Sequence, residues 1–346
     1  MERWVTVTTA RAATKTPTST ARNPFTDIPT SSSRIGPFLP GAIGSRRDRL
    51  NRPRTLTAGD PGVRPPVDER RPRRPVRPLT GSGRAAWMAA VDIWDPARYE
   101  RFSAERSAPF YDLLSLVEPV PGGRVVDLGC GSGELTAQLH RRLEAAETLG
   151  LDNSPAMLER AAGLAGDGLR FQLGDIASFT DAGWDVVFSN AALHWLPDHE
   201  GLFGWLVDAL NPGGQLAVQM PANHDHPSHV VAAEVAGTEP FRTALGGYRR
   251  ESPVREPEWY ALLLDRLGLA DQHVRLQVYL HHLATRDEVV EWVRGTLLTD
   301  YQARMPEKLF EEFLAAYRER LLPELEDTRP YQYPFKRLLL WGRGSG

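Results

Sequence analysis

The chain has 346 residues, enough for one large domain or two of ordinary size. Its net charge of −3 hides two regions of opposite sign, because residues 1–87 carry 17 Lys and Arg against 6 Asp and Glu, whereas residues 88–346 carry 24 against 38. The single cysteine excludes an intramolecular disulfide and a cysteine-rich zinc site, and no apolar run reaches the roughly 18 residues of a membrane-spanning helix. We therefore expect a cytoplasmic protein without a membrane partner.

Residues 1–87 are rich in Pro, Ser, Thr and Arg and poor in apolar side chains. Prolines in runs such as RRPRRPVR at residues 70–77 interrupt helices and sheets, and too little apolar surface exists to offset chain entropy. We predict a disordered extension, or a start codon assigned too early with the true start near Met88. A nucleic-acid-binding tail, a transit peptide and a twin-arginine signal at residues 46–47 are alternatives. Sparse aromatic residues and the lack of a following apolar stretch argue against the first and the last of these.

From about residue 88 the sequence becomes periodic. Helices are predicted through residues 96–118, ending at the proline- and glycine-rich run 119–123. Apolar strands then alternate with helices. The strands are predicted at residues 125–128, 148–151, 169–173, 184–189 and 215–219, and the helices at residues 134–143, 155–165 and 201–210, the last closed by the turn 211–214. This alternation predicts an α/β fold with a parallel sheet and helices on both faces.

The C-terminal part of the chain is less regular. Residues 222–270 have a mostly helical and irregular pattern, and residues 274–281 alternate like a strand. Two helices are predicted at 285–298 and 306–322, followed by a strand at 335–340. We predict that residues 88–346 form one domain, with helical lid insertions around 222–270 and 285–322.

A glycine-rich loop follows the first predicted strand, in the run VVDLGCGSGE at residues 125–134. Glycines at 129, 131 and 133 permit close approach of a ligand to the backbone at a helix N-terminus, where nucleotide cofactors commonly bind. The spacing G-x-G-x-G differs from the G-x-G-x-x-G of dinucleotide-binding loops and from the Walker A motif. The loop therefore predicts a nucleotide cofactor, but its spacing is wrong for binding a pyrophosphate.

Polar residues close the next three predicted strands. Asp152 lies 19 residues after Gly133, where a carboxylate can accept both hydroxyls of a ribose. Asp175 ends the third strand and can reach an adenine amino group, and Asn190 ends the fourth. The carboxyl ends of parallel strands share one edge, where open α/β sheets bind ligands. An isolated Asp after a strand is more often a helix cap, as Asp152 could be for the helix at 155, so the prediction depends on the ordered set.

These motifs resemble those of class I S-adenosylmethionine-dependent methyltransferases. The runs WDPARY at 94–99, FSAER at 102–106, HWLPDH at 194–199 and LAVQMP at 216–221 closely resemble trans-aconitate 2-methyltransferases. The resemblance implies a Rossmann-like seven-stranded sheet with an antiparallel last strand, helical N- and C-terminal lid elements, and S-adenosylmethionine as cofactor.

The resemblance also assigns parts of the cofactor to residues. It implies that Asp127 and the glycine backbone hold the methionine part, that Asp152 holds the ribose, and that Met157 packs beside the adenine. Asp175 and Ile176 contact the adenine edge. The whole predicted cofactor-binding set is Asp127, Gly129, Cys130, Gly131, Gly133, Asp152, Asn153, Met157, Asp175, Ile176 and Asn190.

The acceptor implied by the resemblance is a carboxylate of trans-aconitate or a related small di- or tricarboxylate. A carboxylate is already ionised at pH 7, so no general base is required, and positioning is the main catalytic contribution. An anionic acceptor calls for cationic and hydroxyl partners. The candidates are Arg106, His194, Trp195, Tyr331, Tyr333 and Arg337. The run HDHPSH at residues 224–229 could supply imidazoles to a metal, but a helix start explains it better, and we expect no metal.

Three alternatives stay open at this stage. The first is a class I methyltransferase with another small-molecule or carrier-bound acceptor, and the second is a non-catalytic cofactor-binding module. The third is modification of nucleic acid, which the acidic balance of residues 88–346 disfavours because phosphate binding requires positive surface. We expect a monomer acting on a small anionic substrate.

Overall fold

The computed structural model describes residues 103–346, except for residue 270 and the side chains of residues 103–106. The predicted extension 1–87, the start at Met88 and the predicted helix at residues 96–102 lie outside the described residues. None of the helices between residues 103 and 346 has the length and apolar character that a bilayer crossing requires.

Helices and strands alternate through the first half of the described chain and cluster in its second half. The strands are β1 (Arg124–Leu128), β2 (Glu147–Asp152), β3 (Leu169–Leu173), β4 (Trp184–Asn190), β5 (Leu210–Pro221), β6 (Asp271–Leu283) and β7 (Tyr331–Arg343). The α-helices are α1 (Ser103–Leu114), α2 (Glu134–Leu143), α3 (Pro155–Ala161), α4 (His199–Asp208), α5 (Pro227–Ala236), α6 (Phe241–Ala244), α7 (Pro257–Arg266), α8 (Glu288–Arg294), α9 (Thr299–Gln302) and α10 (Glu307–Leu321).

The strands form one sheet in the order β3-β2-β1-β4-β5-β7-β6. The first five pair in parallel, and β7 inserts antiparallel between β5 and β6. The predicted α/β class and the seven-stranded sheet with an antiparallel last strand are confirmed. The strand order reverses between β1 and β4, and their carboxyl ends therefore flank the switch point at which such sheets bind ligands.

Several predicted boundaries differ from the structure. The strands predicted at 274–281 and 335–340 are longer, spanning Asp271–Leu283 and Tyr331–Arg343, and the helix predicted at 155–165 ends at Ala161 and continues as a short 3-10 turn.

Helix α4 ends at Asp208, and the predicted turn at residues 211–214 lies inside β5, in a register shift between the pairs Trp184–Leu210 and Val186–Gln215. Strand pairing on both sides of the irregularity draws these residues into the sheet. The predicted helix at 285–298 is also shorter, because α8 begins at Glu288 and ends at Arg294, with Gly295 as its C-cap, and a separate turn of helix, α9, follows.

The sheet separates two apolar layers. One face packs against α4 and α7, through residues such as Phe203 and Leu263, and the other packs against α1 and α2, through Phe110 and Leu139. A third apolar cluster joins α5 and α8–α10 to the first half of β7. These C-terminal helices therefore form a buried wall over the carboxyl ends of β4 and β5, next to the switch point.

Candidate functional site

The three glycines of the loop after β1 have different roles. A Cβ on Gly129 would lie 2.3 Å from the Cβ of Ala192, and one on Gly133 would lie 2.6 Å from Phe171 Cζ, so tight packing within the protein excludes side chains at both positions. Gly131 has a φ of +56° and open space where a Cβ would stand. Gly131 is therefore the glycine of this loop whose backbone a ligand can approach.

Asp152 ties the glycine loop to the end of β2. Its Oδ2 accepts the N–H of Gly131 at 2.8 Å, and its Oδ1 accepts the N–H of Ser154 at 2.9 Å. The N-cap of α3 is Ser154, whose hydroxyl accepts the N–H of Met157 at 3.3 Å. Asp152 is therefore not the cap of that helix. A carboxylate offers about four lone-pair sites, so a single carboxylate can accept these two N–H groups and further donors.

Cys130 faces the protein interior. Its thiol is buried, its N–H donates to Leu151 O at 3.0 Å, and its carbonyl accepts the N–H of Gly133 at 3.1 Å. Burial is the main cause that raises the pKa of the Cys130 thiol well above its ordinary value. The backbone of Cys130 thus shapes the loop, and its thiol is neither exposed nor ionised.

Asp127 is a buried carboxyl beneath the loop, with 4% of its surface exposed. Its Oδ2 accepts the hydroxyl of Thr136 at 2.6 Å. Burial raises the pKa of Asp127 to about 7, the Thr136 hydrogen bond lowers it, and the charge of Asp152 raises it further. The carboxyl is therefore poised to change charge near neutral pH, and a cationic ligand group would favour its ionised form.

The residues predicted to contact the adenine lie at the ends of β2 and β3. Met157 is buried in α3, Asn153 is exposed before it, and Ile176 is half-buried. Asp175 caps the short 3-10 turn Ile176–Ser178, since its Oδ1 accepts the N–H of Ala177 at 2.9 Å. One oxygen of Asp175 therefore has a structural role.

A cavity of ≈ 970 Å³, measured with its open mouth, lies beyond the carboxyl ends of β4 and β5. None of the described residues that line it is Asp or Glu. The lining residues are Asn190, Ala191, His194, Trp195, Pro221, Asn223, His224, His229, Arg250, Ser252, Trp292, Val293, Thr296, Leu297, Phe335 and Arg337. The cavity adjoins the glycine loop, because Ala192, which packs against Gly129, follows the lining residues Asn190 and Ala191.

Two arginines give the cavity its charge. Arg337 lies on β7, is only 5% exposed, and holds its guanidinium carbon 4.8 Å from the centre of the Phe335 ring. Arg250 comes from the loop between α6 and α7 and stacks over Trp195 at 4.0 Å. The cavity is therefore a local positive site in a region whose net charge is negative.

Several polar atoms of the cavity-lining residues are buried and have no hydrogen-bond partner among the described residues. They include Nδ1 of His194, Oδ1 of Asn190 and Nδ2 of Asn223. Burial holds the pKa of His194 well below its ordinary value, and the positive charges of Arg250 and Arg337 lower it further. The His194 imidazole is therefore neutral at pH 7, and buried polar atoms without a hydrogen-bond partner require an explanation.

The predicted acceptor-binding residues divide into three groups. His194, Trp195 and Arg337 line the cavity. Tyr331 and Tyr333 do not, because both are buried in the apolar cluster under the C-terminal helices, and the Tyr333 hydroxyl lies 3.4 Å from Ser228 Oγ. The side chain of Arg106 lies outside the described residues.

Sequence reasoning missed several lining residues, above all Arg250. The loop that carries it has no periodicity, and the pair Arg249-Arg250 resembles an ordinary charged surface. Asn223, Ser252 and Thr296 carried no sequence signal either. They come together through the tertiary packing of the C-terminal helices.

The histidine-rich run begins a helix. His226 is the N-cap of α5, and its Nδ1 accepts the N–H of Ser228 at 3.1 Å. Burial lowers the pKa of His226 to about 4 and that of His229 to about 3, so both imidazoles are neutral at pH 7. Within residues 103–346, no group of three or more His, Cys, Asp and Glu is arranged to hold a metal ion.

Comparison with known proteins agrees with this geometry. Residues 119–246 match the methyltransferase domain family. A trans-aconitate 2-methyltransferase of Deinococcus radiodurans is 44% identical over 252 residues, which cover 71% of this chain and 96% of that protein. Proteins of the same name from Variovorax paradoxus and Streptomyces avermitilis are each 39% identical, and the match covers 72% of this chain and 95% and 96% of those proteins.

Proposed function

We propose that this chain, which belongs to the trans-aconitate 2-methyltransferase family, transfers a methyl group from S-adenosylmethionine to a carboxylate oxygen of trans-aconitate or a related small di- or tricarboxylate. One observation carries the proposal. A cavity with two arginines, and with no carboxylate among its described lining residues, adjoins the open side of a glycine loop at the switch point of the sheet.

The residues around the loop fit the cofactor. Open space at Gly131 admits a ligand against the backbone, and Asp152, which accepts the N–H of Gly131 at the end of β2, is the proposed acceptor for the ribose hydroxyls. Met157 and Ile176 supply apolar surface for the adenine, and Asp127 would pair with the ammonium of the methionine part. When bound, S-adenosylmethionine supplies a methyl group on a positively charged sulfur.

The charge of the cavity fits an anionic acceptor. Residues 88–346 carry 24 Lys and Arg against 38 Asp and Glu, so the domain as a whole repels a tricarboxylate. The cavity reverses the sign locally through Arg250 and Arg337. Such a lining favours anions over cationic acceptors, because an ammonium group in the cavity would meet two guanidinium groups and no partner of opposite charge.

The reaction requires positioning and no proton transfer by the chain. An acceptor carboxylate has a pKa near 4 in water and is ionised at neutral pH. Its oxygen gains the methyl group as the carbon–sulfur bond breaks, and no proton moves. Arg337 and the neutral His194 hold and orient the acceptor, while Trp292 and Phe335 provide an apolar wall that restricts water.

We propose further that the protein is a cytoplasmic monomer that acts on a small molecule and not on nucleic acid, and that residues 88–346 form its catalytic domain. The acidic balance of those residues supports this view. Size-exclusion chromatography with light scattering tests the oligomeric state. N-terminal sequencing of the native protein tests whether translation starts at Met88.

The central test is esterification. Purified protein is incubated with S-adenosylmethionine and trans-aconitate, and the products are separated and weighed by mass spectrometry. We expect a monomethyl ester and an equimolar amount of S-adenosylhomocysteine. If no ester forms from trans-aconitate or from any other di- or tricarboxylate, the proposal is wrong. Methylation of an amine under the same conditions would favour the alternative acceptor class.

A further inference from the structure

Arg250 is a half-buried cation in the cavity wall, and it lies on a loop that no motif marks. Its side chain is 15% exposed. The guanidinium carbon lies 4.0 Å from the centre of the Trp195 ring, and Nη1 lies 3.6 Å from Asp300 Oδ2. A charged side chain that is largely shielded from water requires polar or charged partners that compensate for the lost hydration.

The residues behind Arg250 hold it in place. Asp300 also accepts the Tyr248 hydroxyl and, at 3.0 Å, Arg304 Nε. The backbone N–H of Arg250 donates to the hydroxyl of Tyr301 at 3.2 Å. Asp300 is not among the residues that line the cavity, so this network anchors the arginine from behind while its guanidinium reaches the cavity.

The contact with Asp300 does not use the full binding capacity of Arg250. A guanidinium has five N–H donors in a fixed fork, and a strong pair with a carboxylate has nitrogen–oxygen distances of about 2.7–2.9 Å. The 3.6 Å separation from Asp300 is longer than that. Donors of Arg250 are therefore available to a carboxylate in the cavity.

Arg250 and Arg337 approach the cavity from different elements. Arg337 is on β7, and Arg250 precedes α7. Both line the same cavity as His194, and their positive charges contribute to lowering the pKa of its imidazole. An acceptor with a single carboxylate could pair with only one of these two guanidinium groups, whereas an acceptor with several carboxylates could pair with both.

We infer that Arg250 determines acceptor specificity. It binds one carboxylate of the acceptor that is not methylated, and Arg337 binds a different carboxylate of the same molecule. This inference rests on the proposed function, and it states why the cavity prefers acceptors with several carboxylates. Lysine would replace Arg250 poorly, because a compact ammonium can neither stack on Trp195 as a planar group nor donate a bidentate pair.

The test measures equilibrium binding to the full chain by calorimetry, in the presence of saturating S-adenosylhomocysteine. The proteins are wild type, Arg250→Gln and Arg250→Lys, with Arg249→Gln as the matched control, because Arg249 is exposed and lies against Gly237 outside the cavity. The probes are trans-aconitate and the three analogues that each lack one of its carboxylates, itaconate, mesaconate and cis-glutaconate.

We expect Arg250→Gln to weaken trans-aconitate binding about 10- to 100-fold, as for loss of a charge-assisted hydrogen bond. Arg250→Lys should recover only part of this loss, and Arg249→Gln should match wild type. For the analogue that lacks the carboxylate bound by Arg250, wild type and Arg250→Gln should agree within about twofold. Binding of S-adenosylhomocysteine should be the same in all four proteins, which verifies folding.

Two results would overturn the inference. One is equal affinity of wild type and Arg250→Gln for trans-aconitate, and the other is the same loss for all four probes, which would indicate a general charge effect. If wild type esterifies trans-aconitate but the binding comparison with Arg250→Gln gives either of these results, the inference fails and the proposed function stands. If wild type binds none of the probes and forms no ester, both fail.

Discussion

The two sides of the site are built in different ways. The cofactor side, formed by the loop 129–133 and the ends of β2 and β3, uses backbone groups and short acids that directly follow strands. The acceptor wall, formed by the cavity-lining residues, uses side chains from segments between residues 190 and 337. In the function that we propose, cofactor binding therefore depends on the sheet itself, whereas acceptor choice depends on how the C-terminal helices pack.

The largest effect is expected on the cofactor side, at Asp152. Replacing Asp152 with alanine removes the acceptor of the Gly131 and Ser154 N–H groups and the proposed partner of the ribose. Affinity for S-adenosylhomocysteine should fall more than about 100-fold, because several hydrogen bonds to a charged group are lost. Calorimetry measures this change, with Asp208→Asn, an exposed acid at the end of α4, as the control. Unchanged affinity in the alanine variant would contradict the assignment of Asp152.

The acceptor wall should respond separately. Replacing Arg337 with glutamine should raise KM for trans-aconitate about 10- to 100-fold and leave S-adenosylhomocysteine affinity within about twofold of wild type. Because Arg337 is buried against Phe335, thermal unfolding should accompany the kinetics, and Arg337→Lys should keep part of the affinity. Equal losses of cofactor and acceptor binding would show that the two sides are not independent.

The glycines divide the cofactor side into packing and binding positions. Gly129→Ala places a Cβ against Ala192 and should lower the free energy of unfolding by about 2–4 kcal/mol. Gly131→Ala meets open space and should cost about 1–2 kcal/mol for its left-handed backbone, yet it should weaken S-adenosylhomocysteine about tenfold. Thermal unfolding and calorimetry on both variants test this. If Gly131→Ala binds as tightly as wild type, the cofactor does not approach that backbone.

The smallest effect is a pH dependence at Asp127. Its pKa is raised to about 7 by burial, so the folded protein without ligand loses this proton as the pH rises from about 6 to 8. If ionised Asp127 pairs with the ligand ammonium, S-adenosylhomocysteine affinity should increase about fivefold between pH 6 and 7.5, and Asp127→Asn should remove the increase. A wild-type affinity that is flat over this range would disprove the pairing.

The pH dependence of folding stability has the opposite sign to that of S-adenosylhomocysteine affinity. An unfolded Asp ionises near pH 4, so between about pH 4 and 7 the native state holds a proton that the unfolded chain has lost. The contribution of Asp127 is therefore fully present below pH 4 and is lost as the pH rises through 7. Denaturant unfolding of wild type and Asp127→Asn without ligand should differ most above pH 7, where the carboxylate is buried and charged.

The difference between the cofactor side and the acceptor wall also explains which features could be predicted from the sequence. Strand ends and glycine spacing are local features, and the first five strands, the loop and the position of Asp152 follow from them. The bulged start of β5 could not be predicted, because Asn211-Pro-Gly-Gly214 is typical of a turn and only its pairing with β4 draws it into the sheet.

The acceptor wall depends on contacts distant in sequence. Tyr331 and Tyr333 lie in the last strand, which begins four residues before the predicted strand at 335–340, and their place under α10 puts them in the core. Arg250 reaches the cavity because Asp300, fifty residues further along the chain, holds it there. No periodicity or spacing encodes such a pair, and only the packing of the C-terminal helices reveals it.

The most direct test of the account is a crystal structure of the full chain with S-adenosylhomocysteine and trans-aconitate bound together. The account predicts the adenosyl group over Gly131 with its ribose on Asp152, and the tricarboxylate beside His194 with carboxylates on Arg250 and Arg337. A tricarboxylate bound outside the cavity, or an adenosyl group away from the glycine loop, would contradict it.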